Sequence, residues 1–215
     1  MKKKRILEVG LNLKTDKNKV LINLMNINQK KIKIKNHKIA LRVLKSEDKK
    51  ILGNFFIGLS ERTKKWYSPH DFTQNRANLI CKEIEYRKHK PIDKRVVAIC
   101  NKEIIGYCIL LFLWRKWDKI RYYNKYNMIV SNDDVCTIAP CISDDYQGIG
   151  LGGEIMDYII QVAKQHNKKI IVLWGGVVVK NNRAVDYYRK NNFEITKKWL
   201  HPIKKVMSYD MYLRI

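Results

Sequence analysis

The sequence predicts an α/β (α+β) domain, and three observations predict it. The apolar run Val135-Cys136-Thr137-Ile138-Ala139-Pro140-Cys141-Ile142 reads as a strand. It leads into Asp144-Asp145-Tyr146-Gln147-Gly148-Ile149-Gly150-Leu151-Gly152-Gly153-Glu154, which opens a helix whose Ile155, Met156, Ile159, Ile160 and Ala163 recur at helical spacing. Period-two runs flank this unit on both sides. At 215 residues and 46% hydrophobic content the chain has the size and composition of one folded domain rather than a disordered or fibrous one.

In chain order, Ile39 to Leu44 alternates as a strand, and Ser46-Glu47-Asp48 is placed to cap a helix carrying Ile51, Leu52, Phe55, Phe56 and Leu59. Ser60 to Thr63 and Trp66-Tyr67-Ser68-Pro69-His70 read as a loop before a second helix from Gln74 to about His89. Arg95 to Cys100 and Ile104 to Trp114 form a hairpin around Asn101-Lys102-Glu103. Arg115 to Tyr126 alternates aromatic and cationic residues. Stacking platforms beside cations suit single-stranded nucleic acid, but a long loop over a binding pocket is the favoured reading. After the central helix, Lys169 to Trp174 and Val177 to Val179 read as a strand broken by Gly175-Gly176, the mark of a bulge or a close backbone approach. Phe193 to Trp199 and Val206 to Leu213 close the chain as two strands.

Glycines converging on a helix start suit an oxygen-rich anion, because backbone N–H groups approach it where a Cβ would block the way and the helix N-terminus adds unpaired donors. Gly148-Ile149-Gly150-Leu151-Gly152-Gly153 fits the dinucleotide pattern G-x-G-x-x-G, but the acid that pattern needs about 20 residues on is replaced by Ile171-Val172-Leu173-Trp174. The alternative match is Gln147-x-x-Gly150-x-Gly152, followed about thirty residues later by Asn181-Asn182-Arg183-Ala184-Val185-Asp186-Tyr187-Tyr188-Arg189-Lys190-Asn191-Asn192-Phe193. Together they resemble the acyl-CoA loop and the N-x-x-A-x-x-x-Y-x-x-x-G-F segment of the GCN5-related N-acetyltransferases (GNAT superfamily). Asn192 stands where the family usually has Gly, a substitution that a left-handed cap tolerates. The resemblance covers residues 39 to 215 and is firmest over 135 to 193.

The resemblance implies the GNAT fold: a mixed, mostly antiparallel central sheet with a V-shaped splay at the acyl-CoA site, flanked by about four helices. It divides the chain into a basic extension, 1–37, and an acetyltransferase domain, 38–215. Acetyl-CoA would be held by Gln147, Gly148, Ile149, Gly150, Leu151, Gly152, Gly153 and Asn181, with the Ile142 N–H on the thioester carbonyl. Tyr188 would protonate the leaving sulfur, and Trp66, Tyr67 and His70 would border the amine acceptor; packing or turn roles are the plainer alternatives for these side chains. Many members carry a glutamate on the strand before the loop. Here Val135 to Ile142 offers no ionisable group except cysteines, leaving Asp133 and Asp134, with His70 as a third option, as base candidates. No metal is expected.

The five cysteines are odd in number and lack C-x-x-C spacing, which argues against a disulfide framework or a zinc site. Cys141, beside the loop, is a nucleophile candidate, with a small core residue as the plainer reading. The formal charge of +24 is concentrated early: residues 1 to 38 hold twelve Lys and Arg against two acids. Such an arm suits RNA, DNA or an anionic surface, although Lys is abundant throughout. Ile32-Lys33-Ile34-Lys35 alternates like a strand, so part of the arm reads as a short hairpin. Met1 to Leu7 begins like a signal peptide, but the apolar run ends at Glu8, and no apolar run reaches the length of a membrane span. A cytoplasmic monomer or homodimer is expected. An RNA- or DNA-binding accessory protein and a non-catalytic acyl-CoA sensor are the alternative functions.

Overall fold

The computed structural model describes residues 29–86, 92–126, 130–202 and 204–215. The greater part of the basic arm, residues 1–28, and the far end of the helix expected to reach His89 lie outside them. Among the described residues nine strands form one sheet in the order β1-β2-β3-β4-β5-β6-β9-β7, with β8 also paired to β9. They are β1 Lys30–Ile34, β2 His37–Val43, β3 Asp93–Cys100, β4 Glu103–Leu111, β5 Val135–Ile142, β6 Ile170–Leu173, β7 Val177–Val178, β8 Glu194–Leu200 and β9 Met207–Arg214. Among the described residues only β5 and β6 pair in parallel; the other pairings there are antiparallel. A parallel pair needs a long crossover, and the glycine stretch with its helix supplies it.

Six helices flank the sheet among the described residues: α1 Lys49–Gly58, α2 Glu61–Trp66, α3 Gln74–Tyr86, α4 Lys116–Tyr126, α5 Leu151–Gln165 and α6 Asn182–Lys190. One sheet face is covered by α5, which buries Leu151, Ile155, Met156, Tyr158, Ile159, Val162 and Ala163 against β-strand residues such as Cys108, Ile138 and Ile171. The other face meets α1 and α3 through Leu52, Phe55, Phe56, Ala77 and Ile80 around Tyr107 and Ile109. Further along that face Trp114 and Tyr122 pack on Val135, Ile170 and Val172.

The two helices beyond the four expected are α2 and α4, both of which read as loops in the sequence. Ser60 caps α2, its Oγ accepting from Thr63 N–H at 3.2 Å. In α4 the alternation of aromatic and cation hides a helical spacing: Asp118, Arg121 and Tyr122 turn to the protein, with Tyr122 fully buried and its hydroxyl donating to the Met211 carbonyl at 2.8 Å. Ser46-Glu47-Asp48 also differs from the expected cap. It forms a 3-10 turn in which Asp48 accepts two bonds from Arg42, at 2.6 and 2.8 Å, and one from Lys45 N–H.

The strand reading of Ile32 to Lys35 is met by β1, which pairs with β2 from Lys30↔Leu41 to Ile34↔His37. Asn192 takes the left-handed conformation, φ 62°, that lets the chain leave α6 for Phe193.

Gly175 and Gly176 sit between β6 and β7 with φ of 68° and 73°. A Cβ on Gly176 would stand 2.5 Å from the Tyr209 carbonyl oxygen of β9, so the jog that separates β6 from β7 requires glycine there. Replacement Gly176→Ala is expected to destabilise the fold by at least about 2 kcal/mol, measured as a lower urea midpoint at unchanged slope.

Candidate functional site

The site is a gap in the sheet. Strands β5 and β6 pair only from Val135↔Ile170 to Ile138↔Leu173, and the last link across them is Trp174 N–H to the Ile138 carbonyl at 2.9 Å. On its other side β5 stays paired with β4 as far as Gly106↔Ile142. Ser143 N–H donates to the Ile105 carbonyl, so by the antiparallel alternation Cys141 and Ala139 also bond toward β4, while Ile142 and Pro140 point their backbone toward the gap. Pro140 has no N–H to lose there. The Ile142 N–H is thereby aimed into the gap, and its carbonyl is held by Gln147 Nε2 at 2.9 Å.

The glycine loop closes one end of the gap. Gly150, with φ 98°, is the N-terminal boundary of α5 and provides no side-chain cap, so the first-turn donors face outward. Gly153 N–H already bonds the Gly150 carbonyl at 3.2 Å. Gln147, Gly148, Gly150, Gly152 and Gly153 line the cavity, whereas Leu151 is buried in the core and Ile149 packs against it. Arg183 bonds Gln147 Oε1, and Lys180 and Lys190 line the same wall, so cations gather where the loop points. N–H donors, lysines and arginines around a concave backbone fit a pyrophosphate. Asn181 spends its side chain on capping α6, its Oδ1 accepting from Ala184 N–H at 3.3 Å.

The adjacent tyrosines have different partners. Tyr187 donates its hydroxyl to the Gly152 carbonyl at 3.0 Å and its ring fills the space a Cβ on Gly152 would need. Tyr188 lines the cavity, and its hydroxyl bonds to no described residue. Burial pushes both phenols far above their ordinary pKa, so both stay protonated.

One continuous cavity of about 1750 Å³ runs from the loop through the gap to the face covered by α2 and α4. Trp66 and Tyr67 line it, and the Tyr67 hydroxyl donates to the Ala139 carbonyl at 3.1 Å. Opposite stand Arg115, its guanidinium 3.9 Å over Trp174, and Arg121, 3.8 Å over Trp199. Arg121 grips Asp210 with two bonds, at 2.9 and 2.8 Å, and Asp118 with one, at 2.6 Å. His201 and Lys204 complete this wall, each with its pKa lowered chiefly by burial.

Three expected residues fall elsewhere. His70 packs among Phe56, Phe72 and Tyr107 instead of lining the cavity. Asp133 and Asp134 precede β5 at the end opposite the loop, roughly 16 Å along the strand from Ala139. Asp134 pairs there with Lys169 at 2.9 Å, and the Asp133 carbonyl accepts from Lys168. The mismatch arises from strand direction, which places a residue just before β5 far from the loop that leaves its other end. Cys141 lines the cavity, but burial pushes its thiol well above its usual range, which suits a core residue and not a nucleophile.

Sequence reasoning also misses Asp144, Asp118 and Arg121. Asp144, just ahead of the loop, accepts from Ser60 N–H at 3.1 Å, Ser60 Oγ at 2.8 Å and Thr63 Oγ1 at 2.8 Å, fastening α2 to the loop. The i, i+3 spacing of Asp118 and Arg121 is the signal the sequence holds for the other two.

Comparison with known proteins agrees with this architecture. The model of the acetyltransferase (GNAT) family matches residues 59–193. An uncharacterized N-acetyltransferase of Methanocaldococcus jannaschii is 31% identical over 68 residues, 30% of this chain and 29% of that protein, so the chain matches under a third of that relative's length. Among solved structures, the ribosomal-protein-S5-alanine acetyltransferase of Vibrio fischeri superposes with a TM-score of 0.67 at 13% identity, covering 87% of this chain and 96% of that one. The GNAT domain of S. lividans PAT gives 0.65 at 13%, over 87% and 97%. The aminoglycoside acetyltransferase AAC(6')-Ib in complex with coenzyme A gives 0.61 at 16%, over 82% and 94%. At these identities the likeness is one of fold.

The Asp144 contacts generate a stability prediction. Partial burial alone would raise this carboxyl, but the Ser60 and Thr63 bonds outweigh it and hold its pKa below the ordinary value. A depressed folded pKa contributes stability above the unfolded pKa, near 4, that is lost as pH falls through the folded value. Asp144→Ala is therefore expected to cost about 1–2 kcal/mol at pH 7, discounted for partial exposure, and much less at pH 3, read from urea unfolding at both.

Proposed function

This chain belongs to the acetyltransferase (GNAT) family, and from that premise we propose that it transfers an acyl group, most simply acetyl, from acyl-CoA to a primary amine by direct attack in a ternary complex. The observation that carries the proposal is the single cavity joining an anion-binding glycine loop to an aromatic and cationic pocket through a gap in the sheet. Two substrates entering from opposite faces would meet at that gap.

In this reading the N–H groups of Gly148 to Gly152, with Arg183 beside them, hold the pyrophosphate. The Ile142 N–H bonds the thioester carbonyl as negative charge develops on its oxygen; one such donor contributes roughly 3 kcal/mol to lowering the barrier. Tyr188 gives its proton to the departing sulfur, and its uncommitted hydroxyl supports it over Tyr187, whose own is bonded to Gly152. Trp66, Tyr67 and the α4 residues border the amine. The acetyltransferases of ribosomal-protein S5 alanine and of aminoglycosides among the fold neighbours act on amines of very different size, so a protein N-terminus and an amino sugar both belong in the acceptor panel.

Two experiments test this reading. Coenzyme A at 100 times its dissociation constant should stabilise the protein by about 2.7 kcal/mol, and Gly153→Asp should remove that shift. A Cβ at Gly153 meets no atom within 4 Å, so the side chain fits without a backbone clash and places a carboxylate among the loop donors. A shift retained by the variant would sink the loop assignment. In steady-state assays with acetyl-CoA against polyamines, amino sugars and alanine-initiated peptides, Tyr188→Phe should lower kcat about 10²- to 10⁴-fold with little change in CoA affinity. If Tyr187→Phe had the larger kcat effect, the acid would be misplaced by one residue.

A further inference from the structure

With Asp133 and Asp134 at the far end of β5 and His70 packed away from the cavity, none of the base candidates read from the sequence reaches the acceptor side, and Asp118 is a buried carboxylate that lines it. It is 2% exposed, lines the cavity, and sits in the first turn of α4. Its Oδ1 accepts from Arg121 Nη2 at 2.6 Å and from Gly175 N–H at 3.3 Å. Its Oδ2 is buried with no hydrogen-bond partner. A buried ionised carboxylate with one idle oxygen is costly unless a donor arrives to meet it. Gly175, which Oδ1 accepts from, adjoins Trp174, the residue that makes the last link across β5 and β6, and Asp118 lines the same cavity as that gap.

We propose that Asp118 is the general base of the reaction, its Oδ2 receiving the acceptor's ammonium and taking its proton. The proposal rests on the transferase reading and names the residue that reading lacks. Protons and electron pairs balance. The ammonium gives one proton to Asp118 and becomes the neutral amine, whose lone pair forms the C–N bond to the thioester carbon. The C–S bond breaks, the sulfur takes the Tyr188 proton, and the second proton leaving nitrogen restores that phenol, while Asp118 returns its proton to water.

The surroundings set how Asp118 titrates. Burial raises its pKa above the ordinary carboxylate value, while Arg121 of its own helix and Arg115 just ahead of it oppose that shift and Asp210 of β9 adds to it. His201 and Lys204 face the same cavity from the β8–β9 connection. Arg121 is not a free counter-ion, because two of its donors are committed to Asp210. A raised pKa makes the ionised form the stronger base, and activity falls as pH drops through it.

The test compares wild type with Asp118→Asn in two readouts. With an acceptor from the panel, the variant should lose about 10²- to 10⁴-fold in kcat/KM at pH 7 while keeping its CoA-induced stabilisation. That loss should shrink as pH rises through the amine's own pKa, because an amine already neutral no longer needs the carboxylate. In the second readout, the aspartate carboxyl ¹³C signal that wild type has and the variant lacks should titrate above the ordinary carboxylate range and move on adding butylammonium. Full turnover by the variant, or a loss independent of pH, overturns the proposal and leaves the transferase reading intact. A wild-type protein that binds CoA but acetylates no amine overturns the transferase reading. In that case movement of the carboxyl signal with butylammonium still supports an ammonium site at Asp118, and its indifference overturns this proposal too.

Discussion

The separation of β5 from β6 after Ile138 and Leu173 is the constraint on which the rest of the structure depends. A parallel pair this well buried would ordinarily continue, since unpaired backbone inside a protein is costly. Two local features stop it. Pro140 turns a residue without an N–H toward the gap, and Gly175-Gly176 adopt left-handed conformations that carry the chain away to β7. What remains is backbone with unused hydrogen-bonding groups facing a cavity, a state that is stable only where water or a ligand completes it.

Around that gap the two sides are held by different means. The loop side is held by apolar burial, because α5 places seven residues in the core and the three turns beyond its first anchor the donors at its start. The opposite side is held by charge. Arg121 reaches from α4 to Asp210 on β9, lies over Trp199 of β8 and still bonds Asp118, so one guanidinium ties three elements. Arginine suits this because its planar fork serves two carboxylates while its face rests on a ring. Asp144 then links the two sides by fastening α2 to the start of the loop.

How much of this is legible in the sequence depends on which force decides each element. Strand β5 is readable residue by residue, from Val135 to Ile142, because its apolar run is bounded by acids and by the loop. The glycine loop and α6 are readable because glycine and asparagine at those positions answer backbone demands that few other residues meet. Helix α4 is not, because it is stabilised by contacts distant in sequence: Tyr122 with Met211, Arg121 with Asp210. Its polar composition offers no apolar stripe wide enough to outweigh its resemblance to a loop. The base candidates fail for a related reason. Proximity in sequence to β5 says nothing about which end of the strand a residue occupies, and a fully extended strand converts a few residues into more than a side chain's reach.

The charge balance of the cavity adds a last step. Arg62, Arg115, Arg121, Lys180, Arg183, Lys190 and Lys204 line it, against the carboxylates of Asp118 and Asp186. Such a field draws a polyanionic cosubstrate inward and raises its encounter rate. The same field disfavours an ammonium ion and lowers the pKa of an amine placed within it, which assists conversion to the neutral nucleophile. A wholly cationic pocket would gain this only by repelling its acceptor. The proposed base, a buried carboxylate lining the same cavity, would resolve the conflict by attracting the ammonium at short range and leaving the phosphates to the cations elsewhere along the wall.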